Sequence, residues 1–195
     1  MAFEDKVQVG GVKPGGMPAA RVFVALKVAP EIANKLVQMA ASLPASAVRL
    51  VAPADIHLTL IPPWNETAIP VVIEKLRGIA ATAAPFTLTF RRLCYGPEVK
   101  RPRLLWADCA LSDELLALHA ALRLAFGQTE DRPFVPHVTV ARIRSNGRLL
   151  ARKHPIDRAL TFSQTIETVE LMQSPPVGGV GYRVLSSLGL GRASE

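Results

Sequence analysis

The tetrapeptide His57-Leu58-Thr59-Leu60 is matched 80 residues later by His137-Val138-Thr139-Val140. Both stretches are rich in residues that favour strands, and the side chains of a strand alternate between its two faces. Each stretch therefore places a histidine and a threonine on one face and two aliphatic side chains on the other. This pattern predicts two strands that bury one face and present polar groups on the other.

Longer segments around these strands show the same internal repeat. The strand and helix over 21–43 resemble 103–125, displaced by 82 residues, and the strand over 56–61 matches 136–141, displaced by 80. Two similar displacements in the same order predict two lobes related by an approximate twofold axis.

Hydrophobic periodicity predicts a chain that alternates strands and helices. We expect strands over 21–28, 48–51, 56–61, 86–95, 104–109, 137–143, 165–172 and 182–188, and helices over 30–43, 65–83 and 112–126. Asn65 and Ser112 are the predicted N-caps of the second and third helices.

The composition is that of a folded single domain. The chain has 195 residues, of which 49% are hydrophobic and 20% charged. That length suits one domain, and the apolar fraction excludes a disordered chain. We predict a flexible arm over 1–18, one domain over 19–190 and a short tail over 191–195.

Several classes of protein are excluded by what the sequence lacks. Cys94 and Cys109 are the only cysteines and have no metal-ligand spacing, which excludes a zinc ribbon and a disulfide scaffold. We expect no signal peptide, and the sequence has no apolar run of about 18 residues. We expect a cytoplasmic monomer that uses no cofactor or metal and binds no membrane. The net charge of +7 favours an anionic partner.

The repeated histidines and threonines suit phosphodiester chemistry. A lone histidine on a strand is more often a hydrogen-bonded structural residue, but two copies at matching places favour function. Two imidazoles, with an ordinary pKa of about 6.5, can act as one general acid and one general base. Two threonine hydroxyls can donate hydrogen bonds to phosphate oxygens. A zinc site is the alternative, but it lacks a suitably spaced third ligand.

These motifs and their flanking segments resemble the RNA 2′,3′-cyclic phosphodiesterase family, once called 2′-5′ RNA ligases, of the 2H phosphoesterase superfamily. The similar segments are RVFVAL (21–26), RLLWA (103–107), RPFVPHVTVARIR (132–144), ELMQS (170–174) and YRVLSSLGL (182–190). One segment departs from the family: after the first motif the family usually continues Phe-Leu-Gly, where this chain has Ile61-Pro62-Pro63-Trp64. The resemblance therefore leaves open the shape of the rim of the active-site groove and, with it, the choice of substrate.

The resemblance implies a fold, a reaction and a set of site residues. The fold is α+β, with two lobes around a central groove, each an antiparallel sheet with outer helices. The reaction is hydrolysis of a 2′,3′-cyclic phosphate to a 2′-phosphate, with His57 as proton donor to the leaving 3′-oxygen and His137 as base on water. Thr59 and Thr139 would hold the phosphate.

Arg142 is implied as a further phosphate contact, five residues after the second histidine. Strand parity places this arginine on the face opposite His137, unless a bulge or the end of the strand turns it inward.

Two aromatic residues and two basic clusters leave alternatives open. Trp64 and Phe134 flank the motifs and can stack on a terminal base, although packing within the core is the commoner use of such residues. Arginines around two hairpins can follow an RNA backbone or form a solvated face. The expected partner is RNA with a 2′,3′-cyclic phosphate end, or a cyclic nucleotide. The other candidate functions are a non-catalytic RNA-binding module and a 2′-5′ RNA ligase.

Overall fold

The described residues form ten strands, four α-helices and one short 3₁₀ helix (Pro53–Asp55). The computed structural model describes residues 19–98, 100–129, 133–144, 146–176 and 179–191. The strands are β1 (Ala20–Lys27), β2 (Val48–Leu50), β3 (His57–Glu66), β4 (Phe86–Gly96), β5 (Leu104–Cys109), β6 (His137–Ile143), β7 (Asp157–Ala159), β8 (Ser163–Ile166), β9 (Thr168–Gln173) and β10 (Arg183–Gly189). The helices are α1 (Pro30–Ala40), α2 (Ile69–Thr82), α3 (Asp113–Phe126) and α4 (Gly147–Lys153). The predicted arm over 1–18 and residues 192–195 of the predicted tail lie outside the described residues.

All ten strands join one antiparallel sheet. Its order is β10-β9-β1-β3-β6-β5-β4-β7, with β2 added to β6 and β8 added to β4. The predicted α+β class is thereby confirmed. The two predicted lobes correspond to the halves β10-β9-β1-β3 and β6-β5-β4-β7, which meet where Leu58 of β3 pairs with Val138 of β6.

The two halves repeat the same strand register, including one irregularity. The equivalent partners are Val24–Ile61 and Ala25–Thr59 in the first half, and Leu105–Ala141 and Trp106–Thr139 in the second. Each half therefore has a bulge directly after its threonine, at Leu60 and at Val140. Equivalent residues of β3 and β6 are 80 positions apart, which confirms the displacement predicted for those strands. Equivalent residues of β1 and β5 are 81 positions apart, so the displacement of 82 predicted for that segment is wrong by one.

The helices cover one face of the sheet and leave the other open. Buried side chains of α1, α2 and α3 form one core cluster with Leu58 and Val138. Phe23 and Ala25 alternate along β1 with members of that cluster, and they belong to a separate small cluster on the other face. Because His57 alternates with Leu58, it lies on the face that the helices leave open.

One predicted helix cap is confirmed and the other is wrong. The Ser112 hydroxyl accepts a hydrogen bond from the Leu115 backbone N–H at 3.2 Å, and α3 begins there as expected. Asn65 instead lies within β3, where it pairs with Arg21 of β1. The strand continues to Glu66, whose carboxylate accepts backbone N–H groups of the next two residues, and α2 begins only at Ile69.

The single strand predicted over 165–172 is divided in the structure into two strands, β8 and β9, which pair with different parts of the sheet. The chain changes direction at Glu167, after which β9 pairs with β1, whereas β8 pairs with β4. No glycine or proline marks this break in the sequence, which is why the apolar pattern looks continuous. Helix α4, capped by the Asn146 side chain, was not predicted.

Replacing Leu58 tests the role of the central strand pair. Leu58 is 0% exposed, and Leu58→Ala removes a packed side chain at the point where the two halves meet. We expect the free energy of unfolding to fall by about 2–5 kcal/mol. Chemical denaturation measures this, with Leu124→Ala on α3 as the control, because Leu124 is 87% exposed and should change stability by less than about 0.5 kcal/mol. Equal losses of stability in Leu58→Ala and Leu124→Ala would contradict the placement of Leu58 in the core between the two halves.

Candidate active site

The two histidines and two threonines lie together at the centre of the open face. Leu58 and Val138 pair directly and point into the core. Continuing this antiparallel register by one residue in each direction puts His57 opposite Thr139 and His137 opposite Thr59. All four side chains line one cavity of about 280 Å³. The structure thus brings together both His–Thr pairs that the sequence predicted as a site.

Each histidine is oriented by the same backbone contact. His57 Nδ1 lies 2.7 Å from the carbonyl oxygen of Asp55, and His137 Nδ1 lies 2.8 Å from that of Val135. A carbonyl oxygen only accepts, so Nδ1 carries the proton in both rings. The remaining nitrogen, Nε2, accepts a proton in the neutral ring and donates one in the charged ring. Both imidazoles are therefore set to exchange a proton at Nε2.

Arg142 also lines the cavity, because the bulge in β6 changes the parity of the strand. Val140 and Ala141 are both buried, so the alternation of faces is broken between them. Arg142 then returns to the face of His137 and Thr139 and is exposed there. Simple alternation from His137 would have placed this arginine in the core.

Different aromatic rings pack against the two imidazoles. Phe23 and Tyr182 surround His57, with ring centroids 5.0 Å from it in both cases. The ring of Trp106 lies 4.2 Å from that of His137. These contacts restrict rotation of both imidazoles and remove water from one side of each. They also make the environments of two repeated residues unequal.

Burial lowers the pKa of both histidines below its usual value. For His57, the positive charges of Arg142 and His137 lower the pKa further, while the hydrogen bond and charge of Asp55 oppose this. For His137, the carbonyl of Val135 and the charge of Asp108 oppose the effect of burial. Asp108 is the direct strand partner of His137, so the carboxylate lies on the same side of the sheet.

Trp64 and Phe134 do not line this cavity. Trp64 packs against Phe126 of α3, with the ring centroids 5.4 Å apart, and its Nε1 donates to Glu66. Phe134 stacks on His119 of the same helix at 3.8 Å. Both residues serve as packing around α3, the alternative that the sequence left open. Among the described residues, Tyr182 places its phenol ring in the cavity lining.

Sequence reasoning missed Arg49 and Tyr182 in the cavity lining. Arg49 lies on β2, directly opposite Arg142 of β6. The pairing of β2 with β6 joins residues about 90 apart in the chain, and no local pattern signals it. Tyr182 is fixed by its backbone N–H, which donates to the Asp55 carboxylate at 2.9 Å. A basic residue eight positions before the first histidine was the one available signal for Arg49.

The described residues hold neither a candidate metal-ion site nor a candidate membrane-spanning helix. No three His, Cys, Asp or Glu side chains gather there as a possible metal-ion site. Within the same residues, none of the helices is both long and apolar enough to cross a membrane.

The chain is similar to proteins of one family. The model of the 2′-5′ RNA ligase superfamily matches residues 28–174. The RNA 2′,3′-cyclic phosphodiesterase of Aquifex aeolicus is 32% identical over 108 residues, which cover 50% of this chain and 56% of the relative. That of Bacillus subtilis is 31% identical over 128 residues, covering 62% of this chain and 69% of the relative. The chain thus matches little more than half the length of the first of these relatives.

Solved structures share the fold over most of the chain. TT0787 of Thermus thermophilus has a TM-score of 0.76 at 24% identity, with 89% of this chain and 100% of that chain covered. LigT of Escherichia coli, crystallised with 3′-AMP, has a TM-score of 0.70 at 24% identity, covering 88% and 98%. At this level of identity the likeness shows the fold.

Charge changes beside the histidines should move their pKa values in opposite directions. Arg142→Gln removes a positive charge near His57, so the pKa of His57 should rise. Asp108→Asn removes a negative charge near His137, so the pKa of His137 should fall. NMR titration of the imidazole signals measures both, and in each variant the other histidine is the internal control. Shifts of the same sign in both variants would contradict the arrangement of charges.

Proposed function

The chain belongs to the 2′-5′ RNA ligase superfamily, and on that premise we propose that it hydrolyses 2′,3′-cyclic phosphodiesters, at RNA ends or on nucleotides, to 2′-phosphates. The observation that carries the proposal is the pairing of two His–Thr units about Leu58 and Val138, with all four polar side chains at one cavity. Relatives called RNA 2′,3′-cyclic phosphodiesterase in two bacteria support the choice of reaction.

The proposed reaction needs one proton removed and one supplied on opposite sides of the phosphorus. His137 Nε2 takes a proton from water as the water oxygen forms a bond to phosphorus. His57 Nε2 gives a proton to the 3′-oxygen as the phosphorus–O3′ bond breaks. The products are a 3′-hydroxyl and a 2′-phosphate, and the two imidazoles have exchanged protonation states. In-line geometry of this kind is favoured by two opposed imidazoles.

The remaining cavity groups hold the phosphate. The Thr59 and Thr139 hydroxyls can donate to its non-bridging oxygens, and Arg142 adds a charged donor that stabilises the negative charge developing on them. Among the described residues, no third potential metal ligand lies with the two histidines. We propose that the imidazoles transfer the protons without a metal ion.

Histidine replacement in the presence of chelator tests the proposal. We expect turnover of adenosine 2′,3′-cyclic phosphate in excess EDTA, and a fall of about 10²–10⁴-fold in kcat for His57→Ala or His137→Ala, because each removes one proton-transfer group. His154→Ala is the matched control, because His154 lies at the end of α4 and outside the cavity. Phosphorus NMR identifies the product as the 2′-phosphate.

Two outcomes of this experiment would contradict the proposal. Turnover that survives loss of either histidine would remove the paired mechanism. Salt-dependent RNA binding that is unchanged when either histidine is replaced, together with no turnover, would instead identify a non-catalytic RNA-binding module.

The pH dependence of kcat/KM should reflect the lowered histidine pKa values. A lowered pKa keeps the base, His137, neutral at more acidic pH, so the acidic limb of the profile shifts to lower pH. A lowered pKa also makes the acid, His57, lose its proton at lower pH, so the alkaline limb shifts to lower pH as well. We expect a bell-shaped profile with its maximum below about pH 6.5, the ordinary imidazole value. A maximum well above that value would contradict the effect of burial.

A further inference from the structure

Two arginines face each other at one end of the cavity. Arg49 of β2 and Arg142 of β6 are direct strand partners, both are exposed, and both line the cavity. Within the described part of the chain, neither forms an ion pair with a carboxylate. Like charges directly opposite each other in a sheet repel, and an anion bound between them relieves that repulsion.

The internal repeat does not extend to this pair of charges. Pro62 occupies the position on β3 that is equivalent to Arg142, since both lie three residues after the threonine and beyond the bulge. At the opposite end, the strand partner of His137 is Asp108. The end of the groove beyond His57 therefore carries two arginines against the single carboxylate of Asp55, whereas the carboxylate of Asp108 lies beside His137. This polarity gives a bound anionic chain one preferred direction.

A single cyclic phosphate does not use both arginines. It carries one negative charge, which the protonated imidazole of His57 and the guanidinium of Arg142 already balance, while the two threonine hydroxyls donate hydrogen bonds to it. Arg49 and Arg142 lie three residues along β6 from Thr139, which is roughly 7–10 Å at the rise of a bulged strand. That distance places Arg49 beyond a phosphate held between the two threonines.

We propose that Arg49 forms a subsite for a second phosphate, next to the Arg142 that contacts the cyclic phosphate, so that this chain prefers the end of an RNA strand to a free cyclic mononucleotide. The cyclic phosphate lies between His57 and His137 within reach of Arg142, and the last internal phosphodiester of the strand lies at Arg49. This inference rests on the proposed function, and it assigns a specificity role to Arg49, on a strand that carries neither motif.

Four substrates separate the effect of a second phosphate from that of a second base. They are adenosine 2′,3′-cyclic phosphate, its 5′-phosphorylated form, the dinucleotide ApA with a 2′,3′-cyclic end, and the same dinucleotide with a neutral methylphosphonate linkage. We expect kcat/KM for ApA to exceed that for the mononucleotide by about tenfold, as for one charge-assisted hydrogen bond. The methylphosphonate should lose this preference, and the 5′-phosphorylated form shows whether a phosphomonoester can replace the diester.

Replacing Arg49 assigns the preference to its side chain. Arg49→Gln should reduce the preference for ApA over the mononucleotide about tenfold, whereas Arg148→Gln on α4, which removes an exposed arginine outside the cavity, should leave the preference intact. A thermal midpoint no lower than that of the unchanged protein shows that the Arg49 variant is folded.

The outcomes distinguish this inference from the proposed function. Turnover of the mononucleotide with no preference for ApA, a preference retained by the methylphosphonate, or equal losses on both substrates in Arg49→Gln would overturn the second-phosphate subsite alone. Absence of turnover on all four substrates would overturn the proposed function itself.

Discussion

The structure depends on one strand pairing, that of Leu58 with Val138, and on the burial of both side chains. These residues join the two halves of the sheet and lie in its core. Because neighbouring residues of a strand face opposite sides, burying this pair forces His57, Thr59, His137 and Thr139 onto the open face. A slip of one residue in either strand would exchange the two sets of side chains. The hydrophobic effect therefore sets the positions of the polar groups at the candidate active site.

The bulges after the two threonines extend this control beyond the central residues. Each bulge buries two successive aliphatic side chains, Leu60 and Ile61 in β3 and Val140 and Ala141 in β6. The strand beyond the bulge resumes its alternation with the opposite parity. The same backbone feature thus presents Pro62 at one end of the groove and Arg142 at the other. A symmetric fold becomes an asymmetric site through the choice of two side chains.

The sequence predicted those features that local patterns and the repeat encode. The His–Thr strands, the Ser112 cap and the α+β class follow from periodicity, capping chemistry and resemblance. The errors arise where distant segments pair. Asn65 is drawn into β3 by its partner on β1, and the apolar run over 165–172 divides between two distant strands. Arg49 reaches the cavity only through the pairing of β2 with β6, which no local pattern encodes.

The strands that complete each half of the sheet come from the other half of the repeat. β4 follows the first unit along the chain but pairs with β5 of the second, while β9 follows the second unit and pairs with β1 of the first. Neither half of the chain holds all the strands of one lobe. The two lobes are interlocked, so separate fragments would each lack an inner strand. Truncating either half of the repeat would therefore disturb both sides of the groove.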